Sequence, residues 1–319
     1  MNNGITNQKW FLYALVPLCA LMWGMSYLGT TVTLAYLDVM ELLALRWTVS
    51  TLLFLVLIGL RFVKVSYRGK NVKMVLLVGA LQPCIYAIFE TLGIKFTTTS
   101  ESSIFIATIP LMVLVISSLL FHQKNNRRTI GAIFLAFSGV VVCVFFSPDF
   151  SLGGKGSGYI FLIGAVISGA LYTIASSKSA GEFDAIEVTF TLSVMGAFFF
   201  NVLNLAMGNG FECYRLCFQD MHILAGVVFL GICCSCLCYL IYNFVLGKLP
   251  ATIGANLVAN SVTAVGVISG CVFAGDPFGW YTAVGVTLTI TGVCLSSLGN
   301  NQEEKTAESD DTGENIDAV

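Results

Sequence analysis

Few side chains in this sequence can hold a charge or move a proton away from a chain end or loop, and Glu90 is the clearest of them. It sits in CIYAIFETLGIKF, residues 84–96, within an apolar run from Val72 to Ile94. In a membrane-spanning helix a carboxylate costs roughly 2.5–3.5 kcal/mol at mid-bilayer and faces the interior of the bundle. Gln82, Tyr86 and Glu90 are spaced i, i+4, i+8 and share one helix face. Such a stripe can orient a ligand or accept a proton. Arg46, in the run DVMELLALRW, is the second buried candidate. Glu90 lies five residues from Lys95 and Arg46 eight from Asp38, roughly 8 and 12 Å from the same end of their helices. A Glu90–Arg46 pair is therefore geometrically possible. It reads either as a substrate or coupling site or as a buried ion pair that fixes helix packing.

The elements that position these groups follow from composition. Of 319 residues 56% are hydrophobic and 11% charged, with a mean hydropathy of +0.85. Soluble domains carry about 25% charged residues, so a water-covered surface is excluded and the chain reads as an integral membrane protein. Runs long enough to cross roughly 30 Å of hydrocarbon as helix occur at 11–33, 38–60, 72–94, 99–121, 129–147, 157–178, 184–206, 221–246, 251–273 and 278–298. Continuous apolar runs specify helices, because backbone polar groups in lipid must be satisfied within the segment. The first run is too long for a signal-peptide core and is expected to be retained. The expected class is thus all-α, with ten transmembrane helices.

Charge sets the orientation. With the N-terminus inside, the inner segments hold Lys9, Arg61, Lys64, Arg68, Lys70, Lys73, Lys124, Arg127, Arg128, Lys178, Lys248 and Lys305. The outer loops hold only Lys95, Lys155 and Arg215. The positive-inside rule then places both termini in the cytoplasm. Residues 300–319 carry seven acids and one base, and read as a disordered acidic tail. Most of the eleven cysteines fall inside spans, where they act as small apolar fillers. Cys213 and Cys217, at i, i+4 in an outer loop, are not expected to form a disulfide. His122 and His222 lie at span ends, so neither a metal site nor catalysis is expected, and no HExxH or nucleophile motif occurs.

Two halves repeat. A shift of 146 residues lays Asp38 and Glu41 over Asp184 and Glu187, and WGMSY over GALYT. A shift of 153 lays YAIFETLGIK over YLIYNFVLGK, pairing Tyr86 with Tyr239 and Glu90 with Asn243, and Ser138-Gly139 over Thr291-Gly292. Five spans per unit make the second unit inverted relative to the first, with the unit boundaries at 10–147 and 157–299. The linker GGKGSG lacks the Ser or Thr that a phosphate loop needs after its lysine. In the second half Ser235, Tyr239 and Asn243 form the matching stripe. Both stripes read either as cavity walls or as interhelical hydrogen bonds. Trp23, Ser26 and Tyr27 of the first span and Tyr172 of the sixth are further candidates, either as cavity walls or as core packing. Trp10 and Trp280 read as interfacial belt residues. Asn256 and Asn260 read as bonds between helices, with a lesser claim on the path.

WGMSY, ALRW, YAIFETLGIKFTTTSESSIFIATIPL and RRTIGAIFLAFSGVVV resemble an EamA unit of the drug/metabolite transporter superfamily. SGALYTI, YLIYNFVLGKLPATIGANLVANSV and AVGVTLTITGV resemble a second copy. The resemblance covers about residues 10–299. It implies inverted five-helix repeats around a central cavity and a carrier for small metabolites, amino acids or drugs, often outward across the cytoplasmic membrane. By position Trp23, Arg46, Tyr86 and Glu90 match the family's cavity region. The sequence also departs from the pattern. HQKNN stands where a glutamate usually closes the fourth span, with Asp276-Pro277 at the corresponding place in the second half. Gly169 stands where a tryptophan is expected before ALYT, and Thr263 stands opposite Pro110. The reading is a secondary transporter without a cofactor. Its expected partners are the lipid bilayer, a small-molecule substrate and a candidate coupling proton, with no nucleic acid; the oligomeric state stays open. Substrate binding or coupling is assigned to Glu90, Arg46, Tyr86, Gln82, Trp23, Tyr239, Asn243 and Tyr172. The alternative class is a receptor or scaffold that signals through the cytosolic tail.

Overall fold

The computed structural model describes residues 2–121, 127–146, 156–248 and 251–295. His122, most of the glycine linker, the acidic tail and the side chains of Trp10, Asn256 and Asn260 lie outside the described residues.

Within these bounds the chain is helical: α1 Asn2–Thr33, α2 Val39–Gly59, α3 Val72–Phe96, α4 Thr99–Leu120, α5 Arg127–Phe145, α6 Gly156–Ser179. There follow α7 Ala185–Ala206, a short α8 Glu212–Gln219, α9 Met221–Leu246, α10 Ala251–Ser269 and α11 Trp280–Leu295. Among the described residues α2, α3, α4, α6, α7 and α9 are each long and apolar enough to cross a bilayer, and shorter apolar stretches lie at Ile130–Phe145, Val262–Ala274 and Trp280–Leu295. Cys213 and Cys217 fall in α8, and all eleven cysteines are free thiols.

Local chemistry explains the starts and breaks. Helices α2 and α7 open on the same device. The backbone N–H of Asp38 donates to Glu41 Oε2 at 2.9 Å, and that of Asp184 to Glu187 Oε2 at 3.1 Å. Each satisfies an orphan donor at the helix end. Pro83 has no N–H and its ring crowds the carbonyl four residues back, so α3 widens into a π turn over Ala80–Tyr86. A π turn recurs in α9 over Phe229–Leu237, where Cys236 stands at the place of Pro83. The proline is thus one cause of this geometry and not a requirement for it. α4 breaks between Ile106 and Ile109, just before Pro110.

Packing between the halves pairs like with like. Gly196 of α7 has no room for a Cβ because Trp47 of α2 would lie 2.6 Å from it, and Ser50 of α2 bonds Ser193 of α7 at 2.7 Å. The 146-residue shift carries Trp47 onto Ser193 and Ser50 onto Gly196, so it converts one contact into the other. The same reciprocity joins α5 and α11: a Cβ on Gly139 would meet Gly285 O at 2.6 Å, and one on Gly292 would meet Ala132 O at 2.6 Å. Here the shift of 153 relates Gly139 to Gly292. Trp47, Phe54 and Phe200 are fully buried in the resulting core.

Candidate functional site

Helices α1, α2, α3, α4, α6, α9 and α10 enclose a cavity of about 690 Å³ counted out to its mouth. Trp23, Ser26 and Tyr27 come from α1, Arg46 from α2, and Gln82, Tyr86 and Glu90 from α3. Opposite them stand Gly169, Tyr172 and Thr173 of α6 and Tyr239 and Tyr242 of α9. The break of α4, with Ile106, Ala107, Ile109 and Pro110, and Val258, Ala259, Val262 and Thr263 of α10 close the remaining side.

The aromatic walls hold one another. Trp23 meets Tyr239 edge-on at 5.0 Å and Tyr242 at 5.3 Å, and Tyr172 meets Tyr239 at 6.1 Å. The Trp23 indole N–H donates to the Cys234 carbonyl at 3.1 Å. That carbonyl is available because the π turn of α9 sends the Cys238 N–H five residues back to Cys233, passing over Cys234. Where Trp23 packs on Tyr239, the related pair in the other half is Gly169 and Tyr86, whose ring lies 3.0 Å from where a Gly169 Cβ would be. The missing tryptophan therefore leaves its place to the Tyr86 ring, and Gly169 becomes part of the cavity wall.

The polar groups cross between halves. Gln82 Nε2 donates to the Tyr239 hydroxyl. Arg46 Nε donates to Ser235 Oγ at 2.5 Å and the guanidinium lies 5.9 Å from the Trp47 ring centre. The Tyr86 hydroxyl donates to Glu90 Oε1 at 2.7 Å. Among the described residues no ion pair joins Glu90 to Arg46. The helical depths agree, but Ser235 of α9 takes the Arg46 Nε, and the two charges are instead both walls of one cavity.

Seven of the eight residues assigned to binding or coupling from sequence line this cavity. Asn243 is the exception. It is buried behind the wall, where Oδ1 accepts the Tyr172 hydroxyl and the Ser176 hydroxyl, each at 2.7 Å, and Nδ2 donates to Thr189 Oγ1 at 3.1 Å. Its place in the repeat is right and its contact is different: Asn243 fixes the Tyr172 ring instead of facing the void. Sequence reasoning missed Thr173 and Tyr242, whose hydroxyls bond each other at 3.0 Å, and in α10 it named Asn256 and Asn260 where Val258, Ala259 and Val262 are wall residues. The i, i+3 spacing of Tyr239 and Tyr242 is the signal that was present for the former. Val258, Ala259 and Val262 carry no polar mark that separates a wall from core.

A site with a carboxyl, a guanidinium, an amide and tyrosine hydroxyls on aromatic walls can hold a small molecule that has both polar and apolar parts. Among the described residues no cluster of three or more His, Cys, Asp or Glu is placed to hold a metal ion.

Comparison with known proteins agrees with this architecture. The profile of the EamA-like transporter family matches residues 9–145 and again 156–298. YcxC, an uncharacterized transporter of Bacillus subtilis (strain 168), is 26% identical over 307 residues, 95% of this chain and 97% of its own. An uncharacterized transporter of Archaeoglobus fulgidus is 22% identical over 291 residues, 90% of this chain and 98% of its own. A solved structure described only as a crystal structure of protein superposes with a TM-score of 0.65 at 17% identity, covering 90% of this chain and 98% of its own, a likeness of fold alone. The family and these relatives are named for transport and not for an enzymatic activity, so the chain is a multi-pass membrane transporter and belongs to the EamA-like transporter family.

Proposed function

We propose that this transporter is a ten-span secondary carrier whose two inverted five-helix halves, residues 10–147 and 157–299, alternate access to the cavity between them. The observation that carries this reading is the reciprocal contact between halves, Trp47 on Gly196 and Ser50 on Ser193, beside a cavity walled by residues of both. An isologous contact of this kind is what a twofold relation between two units produces, and transporters built on such repeats bind substrate at the repeat interface. The double match of the family profile supports the same division.

The substrate class is a small metabolite, amino acid or drug-like molecule, moved outward across the cytoplasmic membrane. Both termini face the cytoplasm on the basic-residue count. Glu90 orients the substrate or carries a coupling proton. Tyr27 and Arg46 stand in the same cavity and Tyr86 is bonded to it, so a change in its charge is felt by the groups that a substrate would touch. Comparing the metabolites retained by cells with and without the chain identifies the substrate. That substrate is then followed in liposomes under an imposed pH gradient. Glu90→Gln is expected to abolish the pH-driven component, and full pH-driven transport by Glu90→Gln would remove the proton role. Deleting residues 300–319 is expected to leave transport unchanged, an outcome that disfavours a receptor or scaffold signalling through the tail.

A further inference from the structure

Two positions related by the repeat are occupied very differently. Asn243 is 4% exposed and ties α9 to α6 and α7 through Tyr172, Ser176 and Thr189. The shift of 153 that relates Glu90 to Asn243 is accompanied by the shift of 146, which relates Ser26 to Tyr172, Thr30 to Ser176 and Leu43 to Thr189. Glu90 is only partly buried. Among the described residues its carboxylate accepts one hydrogen bond, from Tyr86 of its own helix. The Ser26 hydroxyl turns to the carbonyl of Trp23 in its own helix at 2.6 Å. One set of contacts is closed and its counterpart is open.

The chemistry of the four substitutions fits a second closed set. A carboxylate only accepts hydrogen bonds, and the hydroxyls of Ser26 and Thr30, one turn apart on α1, are donors for both its oxygens. An asparagine amide has a donor as well, which Thr189 satisfies; Glu90 has none to place, and Leu43 offers no acceptor. Size is complementary too. Tyr172 is long and reaches a short asparagine, whereas at the related positions Ser26 is short and Glu90 is longer.

We infer that Glu90 and Asn243 are opposed gate residues: when Asn243 releases Tyr172, Ser176 and Thr189, the Glu90 carboxylate moves onto the hydroxyls of Ser26 and Thr30 and ties α3 to α1. This rests on the alternating-access reading above. Glu90 cannot bond α1 and face the cavity at once, so a ligand held at Glu90 keeps that end open. The residue then has two uses, as a wall in one conformation and as a latch in the other.

Hydrogen–deuterium exchange of the full chain in lipid nanodiscs reads both ends without a substrate. In Asn243→Ala, exchange over residues 172–184 is expected to rise roughly tenfold, the effect of one to two net hydrogen bonds lost, while exchange over residues 26–37 falls. Adding Ser26→Ala and Thr30→Val is expected to remove that fall. If the fall persists in the triple variant, the ends alternate but Glu90 does not latch onto α1, and the inference is overturned on its own. If both ends rise together in Asn243→Ala, the alternating-access reading fails and the inference with it. No change over residues 172–184 overturns the assignment of Asn243. Ser176→Ala with Thr189→Val removes two of the three ties with small steric change, leaving that from Tyr172, and the same outcomes in smaller size are expected of it if Asn243→Ala does not fold.

Discussion

The two ends of this molecule are built from related sequence and hold together unequally. Around Asn243 the helices are laced: beyond the amide's own bonds, the loop after α2 grips the start of α7, with Lys70 paired to Glu187, the Tyr67 hydroxyl 2.7 Å from Thr191 Oγ1 and the Asn71 N–H on Glu182 at 2.9 Å. At the related end the helices are tied elsewhere, with the Tyr214 hydroxyl 2.9 Å from Thr48 Oγ1, the Ser100 N–H on Asp276 Oδ2 at 2.7 Å and the exposed Lys95 and Asp38 at 3.3 Å, whereas the Glu90 carboxylate bonds only within α3 among the described residues. Related stretches of sequence thus leave Asn243 tied across three helices and Glu90 bonded within one. The difference lies in a few polar side chains and not in the fold, which is what a device that exchanges the two ends requires.

Breaking the frame that both ends share should cost most. Gly196→Val places a side chain against Trp47 and Pro83 at once, and about 3 kcal/mol of destabilisation is expected, seen as a large drop in thermal midpoint of the purified protein. Asn243→Ala comes next. It removes three hydrogen bonds and leaves the Tyr172 and Ser176 hydroxyls without their acceptor, while Thr189 keeps its bond to the Ala185 carbonyl; at the modest value of hydrogen bonds within membrane bundles about 2 kcal/mol is lost, read as a lower melting temperature. Lys70→Met removes the cation from a glutamate whose side chain is 4% exposed; about 1.5 kcal/mol is expected in the same measurement. Lys95→Met should fall below about 0.5 kcal/mol, because both partners are well exposed. Equal effects at Lys70 and Lys95 would erase the contrast between the ends.

Much of this was legible because period and offset are properties of sequence. The stripe of Gln82, Tyr86 and Glu90 lines the cavity, and the two offsets that matched Asp38 with Asp184 and Gly139 with Gly292 also relate the contacts between halves. What stayed hidden was azimuth. Counting residues from a helix end gives the depth of Arg46 and Glu90 but not which neighbour each one faces, and Arg46 turns to Ser235. The π turn of α9 was equally unreadable, since no proline marks it, and with it the carbonyl that fixes Trp23. Asn243 shows the remaining gap: a repeat relates positions, whereas the conformation decides which of two related positions is exposed.

The central claim is that transport runs through the cavity that Glu90 lines. The most direct measurement is an untargeted comparison of metabolites in cells carrying the wild-type chain, the Glu90→Gln chain or neither, at matched abundance in the membrane. The account predicts a small set of metabolites depleted by the wild-type chain and restored to the chain-free level by Glu90→Gln. A Glu90→Gln profile that coincides with the wild-type one would contradict it.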